Sequence, residues 1–269
     1  MIRITKQILA LVGLVYLTAC SSSTENLNEN KVEKKGNVVV SFNNEKDMDK
    51  RMVEIDTIVS KTDTQANSLN FTGSNGETIE VIGHLDPKNE ILKLEEQFSN
   101  GNAKDYGTRF FYFNDGKVFA TLEQINEPVG DLYTYIERIS YYDKKGKVIK
   151  TKERRGEYDG IENKAFTPVE LHSISTERAF RCLNNKKEFE TTFQGFVDQG
   201  PYTYLVVGGK GKDGYTSALR LDFKDNAIAI LRSNPEGYLG EPMKVNFQVM
   251  NDHDFEFQMY AGGKLTRLE

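Results

Sequence analysis

The side chains able to do acid–base, nucleophilic or metal chemistry are scattered in this sequence. His84, His172 and His253 stand alone, none with a second His, Cys or carboxylate at a spacing that completes a zinc site. His253 lies between Asp252 and Asp254; that pattern could hold a cation weakly, and reads more simply as a polar hairpin turn. Glu95 and Glu96 are adjacent, so on a strand they point to opposite faces and make a poor acid–base pair. No Gly-x-Ser-x-Gly elbow is present. The run Gly208-Gly209-Lys210-Gly211-Lys212-Asp213-Gly214 offers backbone N–H groups and two lysines to an anion. A P-loop needs Ser or Thr after its Lys and a helix behind it. Here Asp213 follows Lys212, and Tyr215–Leu219 reads as a strand, so a glycine-rich hairpin tip is expected. No catalytic residue, metal or cofactor is named by these residues, which ranks an envelope hydrolase below a binding protein.

The two cysteines carry more. Cys20 ends Leu17-Thr18-Ala19-Cys20, which closes the apolar run Ile8–Leu17 behind Arg3 and Lys6. A spanning helix needs roughly 20 apolar residues. A basic start, a shorter apolar stretch and small residues at the cut fit a secretory signal instead. The order aliphatic, small, small, Cys resembles the lipobox of bacterial lipoproteins, over the first 20 residues alone. The resemblance implies cleavage after Ala19, a diacylglycerol thioether on Cys20 and, in many bacteria, acylation of the new N-terminus. It also implies export to the cell envelope; with Ser21 rather than Asp after the cysteine, it points to the outer membrane of a bacterium that has one. More than one lipid chain is enough for stable anchoring. Cys182 is then left without an intramolecular partner. Its neighbours Ala179, Phe180 and Leu183 predict a buried thiol on a helix face.

Elements must position whatever the body binds. Residues 20–36 are polar and nearly free of apolar anchors, and read as a flexible tether between the signal peptide (1–19) and the body. Met48, Met52, Ile55 and Val59 recur at spacings of 4, 3 and 4, and Asn44 can cap, which predicts an amphipathic helix over 44–61. From Glu77 to Arg154 the period becomes two. Six strands are expected near 77–85, 90–98, 108–113, 117–126, 132–142 and 147–154, separated by Asp-Pro, Asn-Asp-Gly and Asp-Lys-Lys-Gly turns. This makes a helix-plus-meander domain over 37–155 and, past a connector at 156–174, a β-rich domain over 175–269. The latter is read as a short helix at 175–184 and strands at 202–207, 215–223, 227–232, 243–250 and 255–260. Phe189, Phe193 and Phe196, spaced 4 and 3, are read as extending the helical layer. The fold class expected is α+β, mostly β: an N-terminal helix packed on an antiparallel meander, then a small five-stranded barrel or curled sheet.

Two features remain as binding candidates. Tyr133, Tyr135 and Tyr141 share one face of a strand with Ile139, and an aromatic face can stack a sugar or hold a protein; cross-strand packing is the plainer account. The long loop Ser233–Pro242 presents Tyr238 and Leu239 between glycines, for which a plug over the open end of the barrel is the plainer account. A net charge of −5 argues against a nucleic-acid partner. The expected function is a lipid-anchored, non-enzymatic envelope module that binds another envelope protein, with glycan or peptidoglycan binding through surface aromatics as the alternative.

Overall fold

The computed structural model describes residues 42, 44–62, 64–101, 105–129, 132–211, 213–252 and 255–266. The signal segment, the lipobox with Cys20, the tether, Lys212, and His253 with Asp254 lie outside the described residues. Residues 40–269 form one compact unit, mostly β, with a large mixed sheet and, among the described residues, three α-helices. No described helix is long and apolar enough to cross a membrane.

Asn44 caps α1 (Glu45–Val59), its Oδ1 accepting from Asp47 N at 3.2 Å. Met48, Met52 and Ile55 form its buried face. Two short strands, β1 (Gln65–Asn67) and β2 (Phe71–Thr72), lead into an antiparallel meander. It comprises β3 (Glu77–Leu85), β4 (Ile91–Asn100), β5 (Tyr106–Asn114), β6 (Lys117–Val129), β7 (Leu132–Tyr142) and β8 (Val148–Gly156). Its turns are made by local chemistry. Asp86 Oδ1 accepts from the N–H groups of Lys88 and Glu90, and Asp143 Oδ1 accepts from those of Lys145 and Lys147. Asp115 and Gly116 both take positive φ, as a tight hairpin turn requires.

The connector is not bare. It carries a 3-10 turn that buries Ile161, and β9 (Thr167–Val169) on the outer side of β8. Then follow α2 (Glu177–Leu183), β10 (Thr192–Gln199), β11 (Tyr202–Gly208), β12 (Thr216–Leu221), α3 (Asn226–Ser233), β13 (Met243–Asp252) and β14 (Phe255–Leu265). All fourteen strands belong to one sheet, ordered β10-β11-β12-β2-β3-β4-β5-β6-β7-β8-β9, with β1 on β3, β14 on β12 and β13 on β14. Strands from before and after the connector therefore share hydrogen bonds, through Thr72 and Thr216. Only the β12–β14 contact is parallel among the described pairs, and the sheet is not closed.

Two sequence expectations are corrected. Residues 227–232 form α3, not a strand. Asp225 Oδ1 accepts from Ile228 N at 2.9 Å and starts the helix, and Ala227, Ile228 and Leu231 bury on one side. Phe193 and Phe196 lie on strand β10, not on a helix. The register against β11 shifts between Phe193 and Gly195, leaving Gln194 as the extra residue of a bulge. The bulge turns a spacing of three into a shared face: the two rings pack edge to face with centroids 5.2 Å apart.

The meander is covered on both sides. Against one face α1 packs on Tyr112, Phe119, Ala120, Ile139 and Tyr141. On the other, α2 brings Ala179 and Cys182 into a core with Leu94, Phe111, Phe193, Ile228 and Tyr260. A Cβ added at Gly83 would stand 3.3 Å from Leu183 Cδ2, so glycine lets α2 approach β3.

Candidate functional site

Register first decides what the charged residues do. Glu96, Arg109, Glu123, Arg138 and Glu153 are successive cross-strand partners on β4 to β8. Their signs alternate, and each junction closes at 3.0–3.2 Å. The three carboxylates are almost wholly buried, which costs several kcal/mol per ion unless each is paired. Each has an Arg within hydrogen-bonding distance, and His172 Nε2 adds a contact to Glu123 Oε2 at 2.9 Å. Burial works against the Glu153 carboxylate, but Arg155 and Arg138 overcome it and hold its pKa below the ordinary value. This ladder is a satisfied structural network, with its acids already engaged.

The opposite face places the tyrosine candidates. Tyr141 is fully buried beneath α1 and donates to Asp49, which also takes Lys152. Two turns along α1, Asp56 engages Tyr112 and Lys93 in the same way. Tyr135 is buried edge-on against Tyr158, with centroids 5.0 Å apart, and Tyr133 is half-buried on the same face. Burial first, then the nearby Glu137 charge, pushes the Tyr135 phenol up. The exposed rings of this region are ones the sequence did not single out: Tyr106 is 42% and Tyr158 56% exposed. Tyr106 begins β5, so register alone could have placed it near Tyr135. In the loop after α3, Tyr238 ends a 3-10 turn and packs partly on the core, while Leu239 is exposed. The structure does not bring Tyr238 and Leu239 to the meander tyrosines on any shared element.

Of the other candidates, Cys182 is a free, fully buried thiol whose pKa burial raises to about 12, so it is held as the protonated thiol. The glycine run 208–211 joins β11 to β12, with Gly209 N donating to Tyr215 O. His84 is buried, its Nε2 3.7 Å from Glu95 Oε2 and neither ring nitrogen hydrogen-bonded. Among the described residues no three His, Cys, Asp or Glu side chains converge as a metal site would require.

Two open grooves mark the surface. The first, about 570 Å³, is lined by Asn44, Glu45, Lys46, Tyr141, Ile149 and Lys150 at the start of α1. The second, about 600 Å³, runs between Gln65 and Asn67 of β1 and residues 245–250 of β13. Beside it a polar cluster joins the C-terminal hairpin to the rest of the sheet. Gln258 Nε2 donates to Ser68 O at 3.1 Å and to Glu80 Oε1 at 3.2 Å, and its Oε1 accepts from Asn70 N at 2.9 Å. Burial, reinforced by the charge of Glu256, raises the Glu80 carboxyl to about 7. Burial also works against Glu95, but His84, Gln97 and Lys93 outweigh it and hold that group below its ordinary value. Two neighbouring acids thus differ in affinity for a proton, but neither lines either groove.

No protein-family model, curated protein or solved structure matches the chain. What the fold itself defines is an open mixed sheet, covered on both faces of its meander, with the outer edge of the ten-residue strand β13 unpaired to any strand among the described residues.

Proposed function

We propose that this chain is a membrane-tethered, non-enzymatic protein-binding or scaffold module of a bacterial cell envelope. Lipid on Cys20 anchors it, residues 20–36 act as its leash, and the outer membrane is its site. The order of residues 17–20 supports the anchor. The observation that carries the binding reading is β13: ten residues long and paired to a strand on one side only, by β14. Long unpaired strand edges are templates for pairing with another chain. The strands β10 to β14 form the curled unit of this module, with β12 meeting both β2 and β14.

The test is affinity capture of the lipidated protein from intact envelopes, beside a Cys20→Ser variant. The expected result is a reproducible partner protein, and release of the variant from the membrane fraction. No reproducible partner, or a variant that stays membrane-bound, contradicts the reading. A glycan-binding alternative has one observation in its favour, the exposed Tyr106 and Tyr158 beside Tyr133 and Tyr135. It requires retention on insoluble cell wall that is lost in Tyr106→Ala plus Tyr158→Ala.

A further inference from the structure

Resting on the protein-binding reading, we propose that the outer edge of β13 receives a single extended segment of a partner polypeptide, added as a strand in the groove between β13 and β1. The direction of the backbone groups is set at the start of the strand. Met243 N donates to Thr191 O at 2.9 Å, and Thr191 Oγ1 donates to Met243 O at 2.6 Å, so both groups of Met243 point away from β14. Alternate residues of a strand repeat that direction. The bulge between β13 and β14 puts its extra residue, Ala261, on β14, so the alternation along β13 is unbroken. Val245, Phe247, Val249 and Asn251 therefore aim N–H and C=O outward, and among the described residues these meet no hydrogen-bond partner on that side.

The groove touches every residue from Val245 to Met250. Consecutive strand residues put their side chains on opposite faces, so a groove touching all six runs along the edge. Its far wall is β1, which itself pairs only with β3, and Asn67 contributes a buried Oδ1 with no hydrogen-bond partner. A lone strand has two edges and meets both walls. The β13 of a second copy carries its own β14 on one side, so it offers one free edge and not two. The occupant is therefore an isolated extended segment.

The edge also lacks the usual guards. Natural edge strands are blunted by charge, Pro or a bulge on the edge strand. Residues 245–251, Val-Asn-Phe-Gln-Val-Met-Asn, hold no charge and no Pro. At about 3.4 Å per residue this is about 20 Å of template, matched by a segment of about seven residues. Val245 and Phe247 pack towards the core while Asn246, Gln248 and Met250 are exposed. The partner segment should alternate apolar and polar residues to continue those two surfaces.

Residue-resolved amide exchange on the full chain in detergent tests this, with a heptapeptide of alternating Thr and Val at millimolar concentration as probe. In the free chain the amides of Val245, Phe247, Val249 and Asn251 should exchange fast, and those of Asn246, Gln248 and Met250 slowly. The peptide should slow the first set at least tenfold and leave the second unchanged. Val249→Pro, which removes one outward N–H and no bond to β14, should abolish the slowing. Outward amides already protected in the free chain, or unmoved by saturating peptide, overturn the proposal. So does an envelope partner captured equally well by Val249→Pro, although the protein-binding reading then stands. Peptide protection without any captured partner supports the edge site and overturns the wider reading.

Discussion

The meander and the C-terminal hairpin are built from the same kind of strand, yet they are held in different ways. Each of β4 to β8 pairs on both sides, and one face carries a ladder of Glu and Arg in which each carboxylate meets an Arg. β13 pairs with a strand on one side, and β14 joins the rest of the sheet through a single parallel contact and the Gln258 clasp. The ladder's polar groups are spent inside the fold. Beyond Met243, the outward groups of β13 from Val245 to Asn251 are unspent among the described residues, and recognition needs groups of that kind. Aromatic content does not distinguish the two regions; hydrogen-bond satisfaction does.

Removing Glu123 would strain the comparison most. Glu123→Ala leaves Arg109 and Arg138 without their shared, buried partner and should cost about 3–5 kcal/mol, read as a lowered urea midpoint. A loss below about 1 kcal/mol would mean the ladder is ornament. Asp225→Ala comes next. Asp225 caps α3 and also accepts from Tyr260 hydroxyl and Gly263 N on β14. Losing it should cost about 2 kcal/mol, with faster exchange in β14 than in the meander.

The clasp gives the third. Glu80 titrates near 7 in the fold against an ordinary 4.5, so the folded state binds the proton more tightly than the unfolded one. Its contribution to stability is fully present below pH 4.5 and is lost as pH rises through 7. Glu80→Gln should flatten the fall in stability across that window, measured by urea unfolding from pH 4.5 to 8. An unchanged slope contradicts the buried, acid-crowded setting of Glu80. The smallest effect is at the bare edge. Val249→Pro should change stability by less than about 0.5 kcal/mol, whereas Gln248→Pro, which loses an N–H aimed at β14, should cost about 3 kcal/mol or more.

The local parts of this fold were legible in the sequence, and the non-local parts were not. The meander strands could be read because Asp86, Asn114-Asp115-Gly116 and Asp143 make turns from their own side chains and dihedrals. The run Ala227–Arg232 was misread because a short apolar stretch fits strand or helix alike; the Asp225 cap was the signal that could have decided it. Phe193 and Phe196 misled through a bulge, which gives a strand a helix-like spacing. The ladder residues lie 13 to 15 positions apart, so nothing marks them as a row until register is known. The same holds for the candidate site. Tyr133, Tyr135 and Tyr141 were visible as aromatics, but only the tertiary packing of Tyr158 on Tyr135 and of α1 on Tyr141 shows those two enclosed. The β13 edge could not be seen at all, because an unpaired edge is a property of what fails to lie beside a strand.

The central claim is that β13 is a one-sided strand, whereas the meander strands β4 to β8 each pair on both sides. Amide exchange along β7 and β13 in the unliganded full chain tests it most directly. Uniform slow exchange across Ile136–Tyr141, with alternating fast and slow exchange from Val245 to Asn251, is the predicted result. Uniform protection along β13 would contradict it, because its outer groups would then already have partners.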